Sequence, residues 1–125
     1  MKRIVLDTNF LTIPYQFKVD IFEEFNRLID EKYELVTLDS VINELKKLSK
    51  RKSKDAIAAR IGLELIKSKK IKIIKSEAEN TDTALLKMSD KNTIIATNDK
   101  LLIQKLKKDK RKVLRLKQKK YLVMI

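Results

Sequence analysis

The sequence contains no cysteine, no histidine and no tryptophan, and only one glycine and one proline among 125 residues. Without histidine or cysteine there is no imidazole general base, no thiol nucleophile, no Ser-His-Asp triad and no ordinary structural zinc site. Disulfides are excluded as well, so nothing in the chain depends on an oxidising compartment. A single glycine, Gly62, cannot build a P-loop or a dinucleotide-binding turn, since both need several glycines for close backbone approach to phosphate. Long apolar runs are missing too, none approaching the roughly 20 residues that span a bilayer. The stretch Met1 to Asp7 reaches an acid after three apolar positions, which is no signal-peptide core. These features set the expectation of a soluble, cytoplasmic, single domain over residues 1–125. Chemistry is left to carboxylates, hydroxyls, lysines or a metal held through oxygen.

What the chain has in excess is positive charge. Lysine and arginine number 30 against 17 acids, a net +13, and they are unevenly placed. Residues 46–75 hold 12 basic and 2 acidic side chains, and residues 100–125 hold 11 and 1. The intervening segments are acidic, at 5 basic against 9 acidic over residues 1–45 and 2 against 5 over residues 76–99. Charge runs are commonly solvated helix faces. Two such blocks in a small chain, however, give a field of one sign over much of the surface, and a polyanion is the natural partner. No basic stretch has the aromatic and leucine face of a membrane-surface helix, so the expected polyanion is nucleic acid.

Periodicity predicts an α/β chain. Short apolar strands are expected at Arg3–Asp7, Glu34–Leu38, Ile71–Ile74, Thr93–Thr97 and Val113–Leu116, with Tyr121–Ile125 as an edge strand or tail. Helical spacing appears over Val19–Asp30, after a loop holding Pro14. It recurs after Asp39 or Ser40, between Lys54 and the third strand, after a Thr81 cap, and after an Asn98 cap. Gly62 lies inside one of these helices at a cost of about 1 kcal/mol relative to alanine, which suggests close packing there. Alternating strands and helices argue for a parallel sheet covered on both faces.

In such a sheet functional groups gather beyond the carboxyl ends of the strands. Asp7 ends the first strand, Asp99 follows the fourth, Glu44 lies one turn into the helix after the second, and Asp82 begins the helix before the fourth. If the first and fourth strands are neighbours, these acids share one crevice. Four converging carboxylates repel one another unless a cation sits among them, and a hard ion such as Mg²⁺ or Mn²⁺ is the natural occupant. Such a site hydrolyses a phosphodiester without histidine or cysteine. Each acid also has a structural reading: Asp7 in an Asx-turn, Asp82 and Asp99 as first-turn acids, Glu44 paired with Lys47.

The same residues carry a family resemblance. The pieces Val5-Leu6-Asp7-Thr8-Asn9, Val41-Ile42-Asn43-Glu44-Leu45, Asn80-Thr81-Asp82-Thr83-Ala84-Leu85 and Ile95-Ala96-Thr97-Asn98-Asp99-Lys100 resemble PIN-domain nucleases over essentially the full length. Asp7 to Leu11, Ile13-Pro14, Gln16-Phe17 and Val19 to Phe22, with Arg115-Leu116-Lys117 near the end, resemble small archaeal members similar to nucleases that process small-subunit ribosomal RNA. One departure is that Ala84-Leu85-Leu86-Lys87-Met88 lacks the alanine-rich run of many members. The resemblance implies a three-layer α/β/α sandwich with strand order 3-2-1-4-5 and a Mg²⁺- or Mn²⁺-dependent endoribonuclease. It carries over Asp7, Glu44, Asp82 and Asp99 as catalytic and metal-binding acids, with Asn9 and Thr97 as supporting polar groups.

On this reading Lys46, Lys47, Lys50, Arg51, Lys52, Lys100 and Lys105 hold the phosphate backbone. The implied partners are RNA, a second copy of the chain as homodimer, and either an antitoxin or a ribosome-assembly partner. No feature of the sequence chooses between a toxin of a toxin–antitoxin module and an rRNA-processing enzyme. The competing expectation is a non-catalytic RNA-binding or ribosome-assembly factor on the same fold, whose binding is salt-sensitive and survives loss of the acids. A phosphoacceptor receiver domain is disfavoured, because Lys75-Ser76-Glu77 after the third strand offers no aspartate to phosphorylate.

Overall fold

Strand β1 (Lys2–Leu6) enters the core at once: Ile4, Val5 and Leu6 have no exposed surface. A computed structural model describes all residues from 1 to 125. Two short helices, α1 (Thr8–Leu11) and α2 (Ile13–Phe17), follow where the sequence suggests only a loop. Pro14 does not break α2, because it lies in the first turn, where its missing N–H costs nothing. Helix α3 (Ile21–Leu28) is shorter than its apolar pattern and is capped by Asp20, whose side chain accepts from the Phe22 and Glu23 amides.

Next come β2 (Tyr33–Leu38), α4 (Asp39–Ser49), α5 (Lys54–Ser68) and β3 (Lys72–Ile74). The second half is α6 (Thr81–Met88), β4 (Thr93–Ala96), α7 (Lys100–Lys108), β5 (Lys112–Lys117) and β6 (Tyr121–Met124). The caps differ from expectation. Asn80, not Thr81, caps α6, and Asp99, not Asn98, caps α7. Helix α4 has Leu38 at its cap with no side-chain bond, while Asp39 lies inside the first turn and accepts from the Ser40 and Ser76 amides.

The six strands form one mixed sheet in the order β3-β2-β1-β4-β5-β6. The first five run parallel, and β6 pairs antiparallel with β5 at the edge. The chain steps outward one way from β1 through β2 to β3, then crosses back and steps the other way through β4 to β5. Right-handed crossovers therefore place the two sets of helices on opposite faces, giving the three-layer sandwich. Strands β1 and β4 are central and are buried through most or all of their length, which is why they read as continuous apolar runs.

Gly62 shows why a glycine stands inside α5. A Cβ there would meet the Leu11 backbone oxygen at 2.9 Å, so α5 and α1 approach more closely than alanine allows. Glycine is otherwise absent, and left-handed positions fall to lysines and a glutamine. Lys18, Lys70 and Lys110 occupy them at helix ends, and Gln118 and Lys119 form the β5–β6 turn.

At the β6 edge, the outward-facing backbone of Leu122 meets α3. Its N–H donates to Glu24 Oε1 at 2.9 Å, and its carbonyl accepts from Arg27 Nη2 at 2.9 Å. No helix is long and apolar enough to cross a membrane.

Candidate active site

The strand order reverses beside β1, so the carboxyl ends of β1 and β4 flank the switch-point crevice of an open α/β sheet. A cleft of about 430 Å³ opens there. Asp7, Glu44, Asp82 and Asp99 all line it, as does Asn9. The topology brings together side chains separated by up to 92 positions in sequence.

Asp7 leaves the end of β1 and caps α1. Its Oδ1 accepts from the Thr8 amide at 2.8 Å and its Oδ2 from Thr97 Oγ1 at 2.7 Å. The Asx-turn reading and the site reading thus describe the same carboxylate. Only 6% of Asp7 is exposed, and burial pushes its carboxyl up to about 6. The bonds from Thr97 and Thr8 oppose that rise, while the charges of Glu44 and Asp82 add to it. Thr97 also accepts from the Asp99 amide at 3.2 Å, so one hydroxyl links both strand ends. Asn9 Oδ1 accepts from the Asn98 amide at 3.1 Å, and Asn98 in turn accepts from the Leu116 amide at 2.9 Å.

Asp99 uses Oδ1 to accept from the Leu101 and Leu102 amides. Asp82, in the first turn of α6, has its carboxyl raised chiefly by burial, then by the charge of Asp99, with Lys105 opposing. Glu44 is not paired with Lys47; ion pairs form elsewhere, between Lys2 and Glu31, Arg3 and Asp90, and Arg27 and Glu24. Two hydroxyls hold it instead, Thr81 Oγ1 donating to Oε1 at 2.8 Å and Thr8 Oγ1 donating to Oε2.

Sequence reasoning missed both hydroxyls. Their signal was present, because Thr8 directly follows Asp7 and Thr81 directly precedes Asp82. It also missed Gln16 and Asp55, which line the same cleft and meet across α2 and α5, at 3.3 Å from Gln16 Nε2 to Asp55 Oδ1. No local pattern announces that contact.

The donor set is all oxygen, its acids are without ion-paired cations, and two of the carboxyls are raised by uncompensated negative charge as well as burial. That chemistry suits a hard divalent ion. The four acids do not, however, form a ready cage, since no three of them gather as ligands for one ion. Asp7, Glu44 and Asp99 are each tethered by hydrogen bonds to separate partners. Mg²⁺ keeps several waters and takes one or two carboxylates plus substrate phosphates, so the residues fit an ion reached partly through water.

None of the basic residues singled out in the sequence lines this cleft. Lys46, Lys47, Lys50, Arg51, Lys52, Lys100 and Lys105 are all exposed. Leu48 and Asp55 do line it, and the segment between them carries Lys50, Arg51 and Lys52. Lys105 is near enough to lower the Asp82 carboxyl.

Comparison with known proteins agrees with this fold. Ribonuclease VapC4 of Methanocaldococcus jannaschii is 36% identical over 126 residues, covering 97% of this chain and 95% of that protein. The solved structure of the PIN domain endonuclease Utp24 matches with a TM-score of 0.75 at 27% identity, covering 98% of this chain and 90% of that one. A domain of a functionally unknown protein from Methanocaldococcus jannaschii shares the fold, with a TM-score of 0.54 at 16% identity over 94% of this chain and 92% of that one. The model of the PIN like domain matches residues 4–119. The chain belongs to the PIN-like domain family.

Proposed function

We propose that this protein is a metal-dependent endoribonuclease that hydrolyses RNA phosphodiester bonds in the crevice beyond β1 and β4. The observation that carries the reading is the convergence of Asp7, Glu44, Asp82 and Asp99 on one cleft, none of them in an ion pair with a lysine or arginine. The relative named a ribonuclease and the neighbour titled an endonuclease support the reaction class.

Asp7 and Asp99 would hold a Mg²⁺ or Mn²⁺ ion, with Glu44 and Asp82 completing the site or orienting the attacking water. The ion, when bound, lowers the pKa of water and neutralises charge on the departing oxygen. The chain contributes position. Thr97 fixes Asp7 relative to the start of α7, and Thr8 and Thr81 fix both oxygens of Glu44. Lys50, Arg51, Lys52, Lys100 and Lys105 attract the phosphate backbone to the rim, which makes RNA affinity fall with salt.

The test is cleavage of a structured RNA with Mn²⁺, with EDTA, and with the Asp99→Asn variant. Strong cutting only by the wild type with Mn²⁺ is expected. Equal cutting in all three would sink the chemistry, and salt-sensitive binding with no cutting at all would favour an RNA-binding factor. The two cellular roles implied by the family both use this crevice and separate on one measurement. A toxin held by an antitoxin arrests growth when expressed alone and Asp99→Asn does not. An rRNA-processing enzyme instead leaves uncut small-subunit precursor when it is removed.

A further inference from the structure

One further carboxylate in the crevice is not among the four acids assigned to that chemistry. Asp55, in the first turn of α5, lines the same cleft as the four acids yet forms no ion pair with any lysine or arginine. A carboxylate beside a phosphate is repulsive. The parts of an RNA that it can accept from are the N–H edge of a base and the ribose 2′-hydroxyl, and only the first distinguishes one base from another.

Its neighbour completes that edge. Gln16 Nε2 donates to Asp55 Oδ1 at 3.3 Å, and Gln16 Oε1 faces Thr12 Oγ1 at 3.2 Å. Thr12 is itself only 6% exposed, and its hydroxyl is held 2.9 Å from the Asn9 carbonyl. The amide orientation follows from chemistry, since a reversed amide would set a carbonyl against a carboxylate. Gln16 Nε2 carries a second hydrogen that this contact leaves over. Together the two side chains offer one donor and two acceptors at the cleft: a Gln16 N–H, Asp55 Oδ1 and Asp55 Oδ2.

Among the four RNA bases only guanine offers the complement, an O6 acceptor beside the N1–H and N2–H donors. Adenine offers one donor beside one acceptor, cytosine one donor followed by two acceptors, and uracil one donor between two acceptors. That edge is free only when the base is unpaired, as in loops and single strands. We propose that Gln16 and Asp55 form a guanine-reading subsite, so that the crevice selects an unpaired guanosine next to the bond to be cut. The inference rests on the endoribonuclease reading for the cut itself, but base recognition is measurable without it.

The experiment uses the full chain and short unstructured RNAs, each with a single guanosine, inosine or adenosine in a uridine background. Binding is read by fluorescence anisotropy with the Asp99→Asn protein, and cutting by the wild type with Mn²⁺. A well-formed pair of base contacts is worth about 1–3 kcal/mol of discrimination, or about fivefold to a hundredfold. Guanosine is expected to exceed adenosine by that factor in both readouts. Inosine, which lacks the N2 amino group, should fall between them without any change to the protein. Asp55→Asn should bring the guanosine-to-adenosine ratio to within about twofold, with an unshifted melting temperature showing that the exposed site remains folded. A wild-type ratio near one, or a ratio that Asp55→Asn leaves in place, overturns the guanine reader. Guanosine-selective binding with no cutting of any RNA would uphold the reader and sink the nuclease reading.

Discussion

Asp7 and Asp90 stand at opposite ends of the same sheet and are treated in opposite ways. Asp90, just before β4, accepts from Thr93 Oγ1 at 2.8 Å and from the Asn92 amide at 2.9 Å, with Arg3 at 4.0 Å. The Thr93 bond first, then the Asn92 amide, hold its carboxyl below the usual carboxylate range. Asp7, just after β1, also has two hydrogen bonds, yet burial outweighs them and its carboxyl rises to about 6. Hydrogen bonding does not separate the two ends. What separates them is burial without a cation: all three ion pairs lie away from the crevice, among Lys2, Arg3, Arg27 and their partners. One end of the sheet is electrostatically closed, and the other is left with charge that a ligand must balance.

The sharpest way to break that contrast is to neutralise the open end. Asp7→Asn should lower Mn²⁺-dependent RNA cleavage by about a hundredfold or more, measured as single-turnover rates. Retained activity would remove Asp7 from the chemistry. The same variant should be more stable. In the unfolded chain the Asp7 carboxyl titrates near 3.8 and in the folded protein near 6, so folding disfavours the ionised form. The penalty is absent below the lower value, grows between the two and is complete above 6, at about 2–3 kcal/mol. Urea unfolding in EDTA should therefore show a gain of that order for Asp7→Asn at pH 8, fading to none near pH 4.

The closed end should respond with the opposite sign and less force. Asp90→Ala removes a carboxylate held at a low pKa, whose contribution is present above the unfolded value and is lost as pH falls through the folded one. Asp90 is largely exposed, so solvent screens it, and a loss of about 0.5–1 kcal/mol at neutral pH is expected, with cleavage rates unaltered. Glu31→Gln, which breaks the 3.7 Å pair with Lys2, should move the unfolding midpoint least, by less than about 0.5 kcal/mol. A larger loss there than at Asp90 would overturn the ranking of the two closed-end contacts.

The sheet was readable in the sequence because its central strands are apolar without interruption, and the acids were readable because each abuts a strand end or a helix start. The details that failed are those decided by backbone position within a run of interchangeable residues. Thr97-Asn98-Asp99 offers three capping side chains in a row, and the chain direction after β4 gives the cap to Asp99 while turning Asn98 toward the Leu116 amide. Asn80-Thr81 presents the same ambiguity, and the residue left over supplies the hydroxyl that holds Glu44. Pro14 reads as part of a loop because its position within a turn is invisible to composition. The Gln16–Asp55 contact joins helices packed across the fold, and nothing local encodes it.

A sheet is an open-ended array, and something must stop it from adding strands. At the β6 edge α3 takes that part, since Glu24 accepts the bond and Arg27 donates the bond that the backbone of a seventh strand would supply to Leu122. The far edge, β3, has only three residues and exposes Lys72, a poor template for pairing. Both margins are thus blunted against strand-to-strand recruitment, by mimicry on one side and by brevity and charge on the other. The seam between β1 and β4 that carries the crevice lies well inside these two margins, out of reach of any strand added at an edge.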